Sequence, residues 1–330
     1  MQQRLKKNIS FIQADIEIGQ KIKGLSRSSD FFYNHCKYIK DALPFNLDHL
    51  GKITESILQK NICFFGEADL NKHNFINYKY LSDLCFLGLN KNNLCLSFGG
   101  DHSIALSTIE ASLRYNPRTL ILWIDAHADI NSAENSISGN FHGMPVYYLM
   151  QPSENKPESL KWMQEVLNPE QIIYLGLRSL DDFESDYLKQ KNIKYYTNHD
   201  IKKNGLTSCL NEIKKISSDY EKIHLSFDID AMDTSYPLCT GVPVDNGLKT
   251  DEMLQICDFV RSTKKLSHID VVEINPNLST SPSDLNLIYF FIIQMLQSLT
   301  DDSSISERTL NASTYSKCAP RPKVTSSQSV

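Results

Sequence analysis

The chain has 330 residues and a formal net charge of −5, with acidic and basic residues mixed and no basic stripe, which argues against nucleic acid as a partner. Its longest apolar stretch, Leu287 to Ile293, is far too short to span a bilayer, so no membrane partner is expected. The N-terminus lacks the apolar core and cleavage site of a secretory signal. The eight cysteines (36, 63, 85, 95, 209, 239, 257 and 318) include no CxxC pair, and they read as reduced, mostly buried thiols of a cytoplasmic protein.

In chain order, short β-rich runs recur, each followed by a helix-like stretch. The runs are NISFIQA from Asn8, NICFFG from Asn61, NLCLSFGG from Asn93 and TLILWIDAH from Thr119. QIIYLGLR from Gln171, IKYYT from Ile193, KIHLSFDID from Lys222 and HIDVVEINP from His268 follow. Several are almost continuously apolar, as parallel strands covered on both faces are. Between them, Leu106, Ile109 and Leu113 mark one amphipathic helix, Leu210, Ile213 and Ile216 a second, and Met253, Leu254, Cys257 and Val260 a third. The alternation predicts a three-layer α/β fold with a central parallel sheet of about eight strands. Glu67 to Tyr80 reads as a polar insertion, and from Asp301 onward a segment rich in Ser, Thr and Pro reads as an extended or disordered tail, residues 301–330.

Four of the runs end on unusual polar residues: GGDHS (Gly99 to Ser103), DAHADIN (Asp125 to Asn131), DIDAMD (Asp228 to Asp233) and EINP (Glu273 to Pro276). Taken singly, each is an ordinary turn, because Asp and Asn end strands and cap helices. Together they lie at the carboxyl ends of strands of one sheet, where α/β folds bind ligands. His102, Asp125, His127, Asp129, Asp228 and Asp230 would then share one cleft. Neighbouring carboxylates raise one another's pKa values, and a multivalent cation relieves that repulsion.

Geometry adds a requirement. Alternate residues of a strand lie about 6.6 Å apart and every fourth about 13 Å, whereas paired catalytic metals sit roughly 3.5–4 Å apart. Asp125, His127 and Asp129 can therefore meet only if the chain curls after Asp125, which the small residues Ala126 and Ala128 permit. Carboxylate-rich ligation with two imidazoles and no nearby cysteine suits two Mn²⁺, with Co²⁺, Ni²⁺ or Fe²⁺ as substitutes.

With SISGNFHGMP (Ser136 to Pro145) added, these segments stand in the order they have in the ureohydrolases, and over roughly residues 8 to 300 the chain resembles that family. The SGNFHG stretch resembles the arginase branch in particular. The resemblance implies a catalytic domain over residues 1–300 that hydrolyses L-arginine to L-ornithine and urea, in arginine metabolism or a urea cycle. It implies one manganese held by His102, Asp125, Asp129 and Asp228 and another held by His127, Asp125, Asp228 and Asp230, with a bridging hydroxide attacking the guanidinium carbon. Asp129 would handle the proton, His142 would shuttle protons, and Glu273 would receive the guanidinium. Asn131 and Ser138 would contact the substrate α-carboxylate, Asn140 would shape that loop, and Asp181, with Glu184, would take the α-amino group. By the same resemblance the chain would form a homo-oligomer, a trimer or hexamer.

Two positions depart from the family's pattern: Ser179 stands where arginases usually have an acidic residue, and Val242 where many have a threonine. The rival readings are an agmatinase, guanidinobutyrase or formiminoglutamase, a zinc deacetylase of similar fold, and a metal-free regulatory subunit. The SGNFHG loop, the doubled DxHxD and DxD sets, and the unbroken ligand positions speak against them in turn.

Overall fold

The computed structural model describes residues 6–54 and 63–301. The first half runs β1 (Lys7–Asp15), α1 (Ser28–Tyr38), β2 (Phe45–Thr54), α2 (Glu67–Leu70), α3 (Ile76–Asn92), β3 (Cys95–Phe98), α4 (Ala105–Tyr115), β4 (Thr119–Ile124) and α5 (Pro145–Leu149). The second runs β5 (Ile172–Leu177), α6 (Asp182–Gln190), β6 (Lys194–Thr197), α7 (Asn198–Asn204), α8 (Leu206–Ser217), β7 (Lys222–Asp228), α9 (Thr250–Thr263), β8 (Leu266–Val272) and α10 (Pro282–Thr300). All strand pairs are parallel, in the order β2-β1-β3-β8-β7-β4-β5-β6. This is the expected three-layer α/β arrangement with eight strands.

The alternation of side chains along each strand divides the interior into two cores. Leu120, Leu122 and Ile124 of β4 join α1, α8, α9 and α10 on one face. Ile121 and Trp123 join α3, α4 and α5 on the other. Every residue of β4 is buried, which explains its uninterrupted apolar sequence.

Three expectations need correcting. The described part of NICFFG, residues 63–66, forms no strand: Cys63 makes one isolated antiparallel bridge with Asn140, and Phe64 packs its ring against Phe75 and Phe141. Residues 61–62 of that run lie outside the described residues. The eighth strand is β2, whose FNLDHLGKIT pattern is mostly polar because it is an edge strand paired only with β1 and half exposed along its length. The stretch 67–80 is no polar insertion, since it forms α2 and opens α3 and buries Leu70, Phe75 and Tyr78. The tail expected beyond residue 301 lies outside the described residues. Among the described residues no helix is long and apolar enough to cross a membrane.

The glycine pair after β3 steers the chain toward the cleft. Gly100 has φ +67°, and an added Cβ would lie 2.4 Å from the Ile16 carbonyl oxygen. Its own carbonyl accepts the Glu273 N–H at 3.0 Å, which ties this turn to the end of β8. Gly100→Ala is expected to destabilise the fold by roughly 1–3 kcal/mol, read as a lower denaturant midpoint. An unchanged midpoint would show that the turn relaxes without strain.

Candidate metal centre

Four neighbouring strands, β3, β8, β7 and β4, deliver the chemistry-bearing residues from their carboxyl ends. After β3, Asp101 caps a short 3-10 turn, accepting the Ser103 N–H at 3.0 Å and the Gly19 N–H at 2.7 Å, and this turn carries His102. After β4 the extended conformation ends. The Asp125 carboxylate accepts the His127 N–H at 2.7 Å through one oxygen and the Trp123 indole N–H at 2.9 Å through the other. Asp129 then takes a left-handed φ of 48°. The curl turns Asp125, His127 and Asp129 toward one place. After β7, Asp228 accepts the Asp230 N–H at 2.8 Å, and Asp230 accepts the Ala126 N–H at 3.2 Å. After β8, Glu273 sits at φ 63°.

The centre is built round one nitrogen. His102 Nδ1 lies 2.9 Å from Asp125 Oδ2, 3.1 Å from Asp129 Oδ2 and 3.3 Å from Asp228 Oδ2. It is buried, yet none of the three approaches has hydrogen-bond geometry. Its ring is fixed by Ser226 Oγ, 2.9 Å from Nε2, and by stacking on Trp123 at 4.0 Å. Nearby, His127 Nδ1 lies 3.1 Å from Asp230 Oδ2 and 3.5 Å from Asp125 Oδ1. Two donor groups result, His102–Asp125–Asp129 and Asp125–His127–Asp230, each with its ligand atoms within 4.8 Å of one another and with Asp125 in common. Three carboxylates converging on one buried imidazole nitrogen, none in hydrogen-bond geometry, is an arrangement that suits a cation.

Electrostatics agrees with this. Burial pushes Asp230 up to about 7, helped by the charge of Asp125 and opposed by His127. Burial and the charges of Asp230 and Asp125 hold Asp228 well above the usual carboxylate range. Burial alone would lower the His127 imidazole, but the Asp230 and Asp125 carboxylates push it up to about 12. The group collects positive charge wherever it can.

A cavity of about 370 Å³ opens in front of this cluster, lined by His127, Asp129, Asp228, Asp230, His142 and Glu273 and by Asn131, Ser138, Asn140, Ser179, Asp181 and Glu184. His102 and Asp125 lie behind its wall, fully buried. Glu273 Oε1 meets the His102 N–H at 3.0 Å and His142 Nδ1 at 2.9 Å, while Oε2 accepts from Gln20 at 2.5 Å. Burial alone would lower the His142 imidazole, but the Glu273 carboxylate beside it pushes it up to about 9. Asn131 donates to Asp181 at 2.9 Å, and its own Oδ1 is buried without a hydrogen-bond partner. Asp181 caps α6, and Glu184 accepts the Asp181 and Ile130 N–H groups at 3.0 and 3.2 Å. Glu184 therefore braces the wall. Val242 is 44% exposed on the cavity wall.

Three contributors escape sequence reasoning. Gln20 holds Glu273, and Thr240 lines the cavity. The Arg178 guanidinium donates to the carbonyls of Gly176, Asp230, Ala231, Met232, Val244 and Asp245 at 2.6–3.3 Å, clamping the loop that follows β7. Of these, only Arg178 left a signal, a lone cation in the GLRS step after an apolar strand.

The model of the arginase family matches residues 41–294. The arginase of Entamoeba histolytica is 32% identical over 288 residues, which cover 85% of this chain and 95% of that protein. The mitochondrial arginase-2 of Rattus norvegicus is 38% identical over 195 residues, which cover 58% of this chain and 55% of the relative's own length. The crystal structure of the Entamoeba histolytica arginase in complex with L-ornithine has a TM-score of 0.78 at 29% identity, covering 90% of this chain and 99% of that one. The crystal structure of Bacillus subtilis formimidoylglutamase, at 20% identity and TM-score 0.69, covers 90% of this chain and 88% of that one. It shares the fold, so fold alone leaves the substrate open.

Removing the clamp behind the cluster should be felt throughout the fold. Arg178→Ala leaves its carbonyl partners without a charged donor and is expected to lower stability by roughly 1–3 kcal/mol. Urea denaturation measures this, and an unchanged midpoint would mean that the loop after β7 holds its own shape.

Proposed function

The chain belongs to the arginase family of hydrolases, and on that premise we propose that it converts L-arginine to L-ornithine and urea with two bound Mn²⁺. One observation carries the reading: a buried imidazole nitrogen faced by three carboxylates out of hydrogen-bond geometry, at the back of a cavity that also holds Glu273 and His142. His102, Asp125, Asp129 and Asp228 would hold one ion, and His127, Asp125, Asp228 and Asp230 the other. The donors are hard oxygens with two imidazoles, which fits Mn²⁺ better than a thiolate-seeking ion. When bound, such a pair acts as a Lewis acid and lowers the pKa of water to near neutrality.

The chain's own residues supply the rest. Glu273 takes the planar guanidinium through paired hydrogen bonds, which fixes orientation as well as charge. It gives up its contact with His142 to do so, which leaves that imidazole free to carry protons between the site and solvent. Asp129 accepts the proton of the attacking water and passes it to the departing δ-nitrogen of ornithine. Asn131 and Ser138 receive the α-carboxylate, and the unpartnered Asn131 Oδ1, beside the carboxylate of Asp181, suits the α-ammonium. The L-ornithine complex of the Entamoeba relative supports an amino-acid product.

The decisive measurement is urea release from Mn²⁺-loaded protein offered L-arginine or agmatine. A site built to hydrogen-bond an α-carboxylate rejects the analogue that lacks it, so arginine is expected to have by far the larger kcat/KM. Ser138→Ala is expected to cost arginine turnover roughly 1–3 kcal/mol in transition-state terms while barely changing agmatine turnover. Equal use of both substrates would replace this reading with a broader guanidino hydrolase.

A second variant separates proton transfer from metal holding. His142→Ala is expected to keep its manganese, measured by metal analysis, while kcat falls and added imidazole restores part of it. Loss of manganese would make His142 a ligand and not a shuttle.

A further inference from the structure

Polar side chains that the proposed reaction does not use fill the core beneath α3 and α4. Cys95 and His268 are register partners on the adjacent strands β3 and β8, so their side chains leave the same face of the sheet side by side. Cys85 reaches them from α3, the helix that covers β3. The two sulfurs and one imidazole nitrogen all lie within 4.8 Å of one another, and all three residues are fully buried.

The surroundings point to a ligand. Ser112 Oγ lies 3.1 Å from His268 Nδ1, which leaves Nε2 to face the thiols. Ser97 Oγ sits between them, 3.4 Å from Cys85 Sγ and 2.9 Å from His268 Nε2. One oxygen of Asp270 is held by Thr108, His224 and Ser226 at 2.7–3.3 Å. The other, 3.5 Å from His268 Nε2, is buried with no hydrogen-bond partner. The His224 and His268 imidazoles offset the charge of Asp270, but a buried carboxylate oxygen with no hydrogen-bond partner, beside an imidazole that faces two thiols, marks a place that suits a cation.

We propose that Cys85, Cys95 and His268 form a second metal site, for a thiolate-seeking ion of the Zn²⁺ class, which pins α3 to the centre of the sheet. Two sulfurs and one imidazole are a zinc donor set, with the Ser97 hydroxyl between Cys85 and His268 and the unpartnered oxygen of Asp270 near His268. A hard ion such as Mn²⁺ prefers the carboxylates of the cavity, so the two sites sort metals by donor softness. On binding, each thiol loses its proton to solvent and the sulfur lone pair goes to the ion. The Cys85 thiol differs from the other buried cysteines, whereas burial and the neighbouring Cys85 hold Cys95 well above the usual thiol range. Burial drives Cys36 up, and burial with the nearby Asp258 charge drives Cys257 up. At Cys85 the same burial is outweighed by Cys95 and His268, which bring it down to about 6. Sequence spacing hides the site because the two cysteines are ten positions apart, on a helix and a strand, and the histidine comes from a third element. The proposal does not depend on the substrate reading, because its measurements are spectroscopic.

The probe is Co²⁺, supplied to cells making the full-length chain so that the ion is present as the core closes, with purification under a thiol-free reductant. A thiolate-to-cobalt charge-transfer band is expected, and Co²⁺ in the carboxylate cavity contributes none because no sulfur lies there. Cys85→Ser and Cys95→Ser are each expected to abolish the band, while Cys257→Ser keeps it. If those variants fail to fold, the unmutated chain made with Zn²⁺ and then exchanged against excess Mn²⁺ decides by X-ray absorption. One retained zinc per chain with sulfur neighbours at about 2.3 Å is expected. No band in the cobalt protein, a band that survives both substitutions, zinc with only oxygen and nitrogen neighbours, or a Cys85–Cys95 disulfide in the purified chain would overturn the proposal.

Discussion

Repulsion among buried carboxylates is the constraint round which this molecule is organised. Asp125, Asp129, Asp228, Asp230 and Glu273 crowd into one low-dielectric corner, where each would resist ionisation because of the others. The protein answers with fixed dipoles. Backbone N–H groups take one oxygen of Asp125, Asp228, Asp230 and Glu273, and the second oxygens of the three aspartates are turned toward His102 or His127. The backbone bonds to these charged oxygens are short and directional, so they set the carboxylates' orientation as well as relieving their charge. The fully buried His102 is in turn held by Trp123 and Ser226, and Arg178 holds the backbone that carries Asp230.

Only a parallel sheet gathers such residues economically. Because β3, β8, β7 and β4 run the same way and are adjacent, four loops leave the sheet together. A short polar motif after each strand suffices, and the rest of each strand can be wholly apolar. The strand interiors are not uniformly so, however. On the face beneath α4, Ser97, His268, Ser112, His224, Asp270 and Ser226 form a hydrogen-bonded set that reaches His102 through Ser226. Chemistry and core are therefore joined through one serine hydroxyl.

What could be read in the sequence follows from this layout. Motifs that sit directly after apolar runs announce both the strand and the cleft, and the curl after Asp125 follows from strand spacing alone. Features depending on partners distant in the chain stayed hidden. The edge strand β2 has only one neighbour and is half exposed, so its sequence lacks the apolar run that marks the other strands. NICFFG has the composition of a strand, yet its phenylalanine at position 64 is spent on a ring cluster with Phe75 and Phe141. Glu67 to Tyr80 looked polar because its few buried side chains, Leu70, Phe75 and Tyr78, are separated by surface residues. Arg178 and Gln20 act through contacts far along the chain; no local pattern marks Gln20, and Arg178 shows only as a lone cation after an apolar strand.

The left-handed backbone at Asp129 and Glu273 has an evolutionary consequence. Both positions carry a side chain that the proposed chemistry uses, on a conformation that glycine or asparagine adopts with less strain. As long as the reaction is under selection, these two positions are held away from their local stability optimum. In a lineage released from that selection, glycine or asparagine there would raise stability while ending function. The first marks of a descendant that had become a binding protein or a scaffold would then be written at these two residues, before any change in the core.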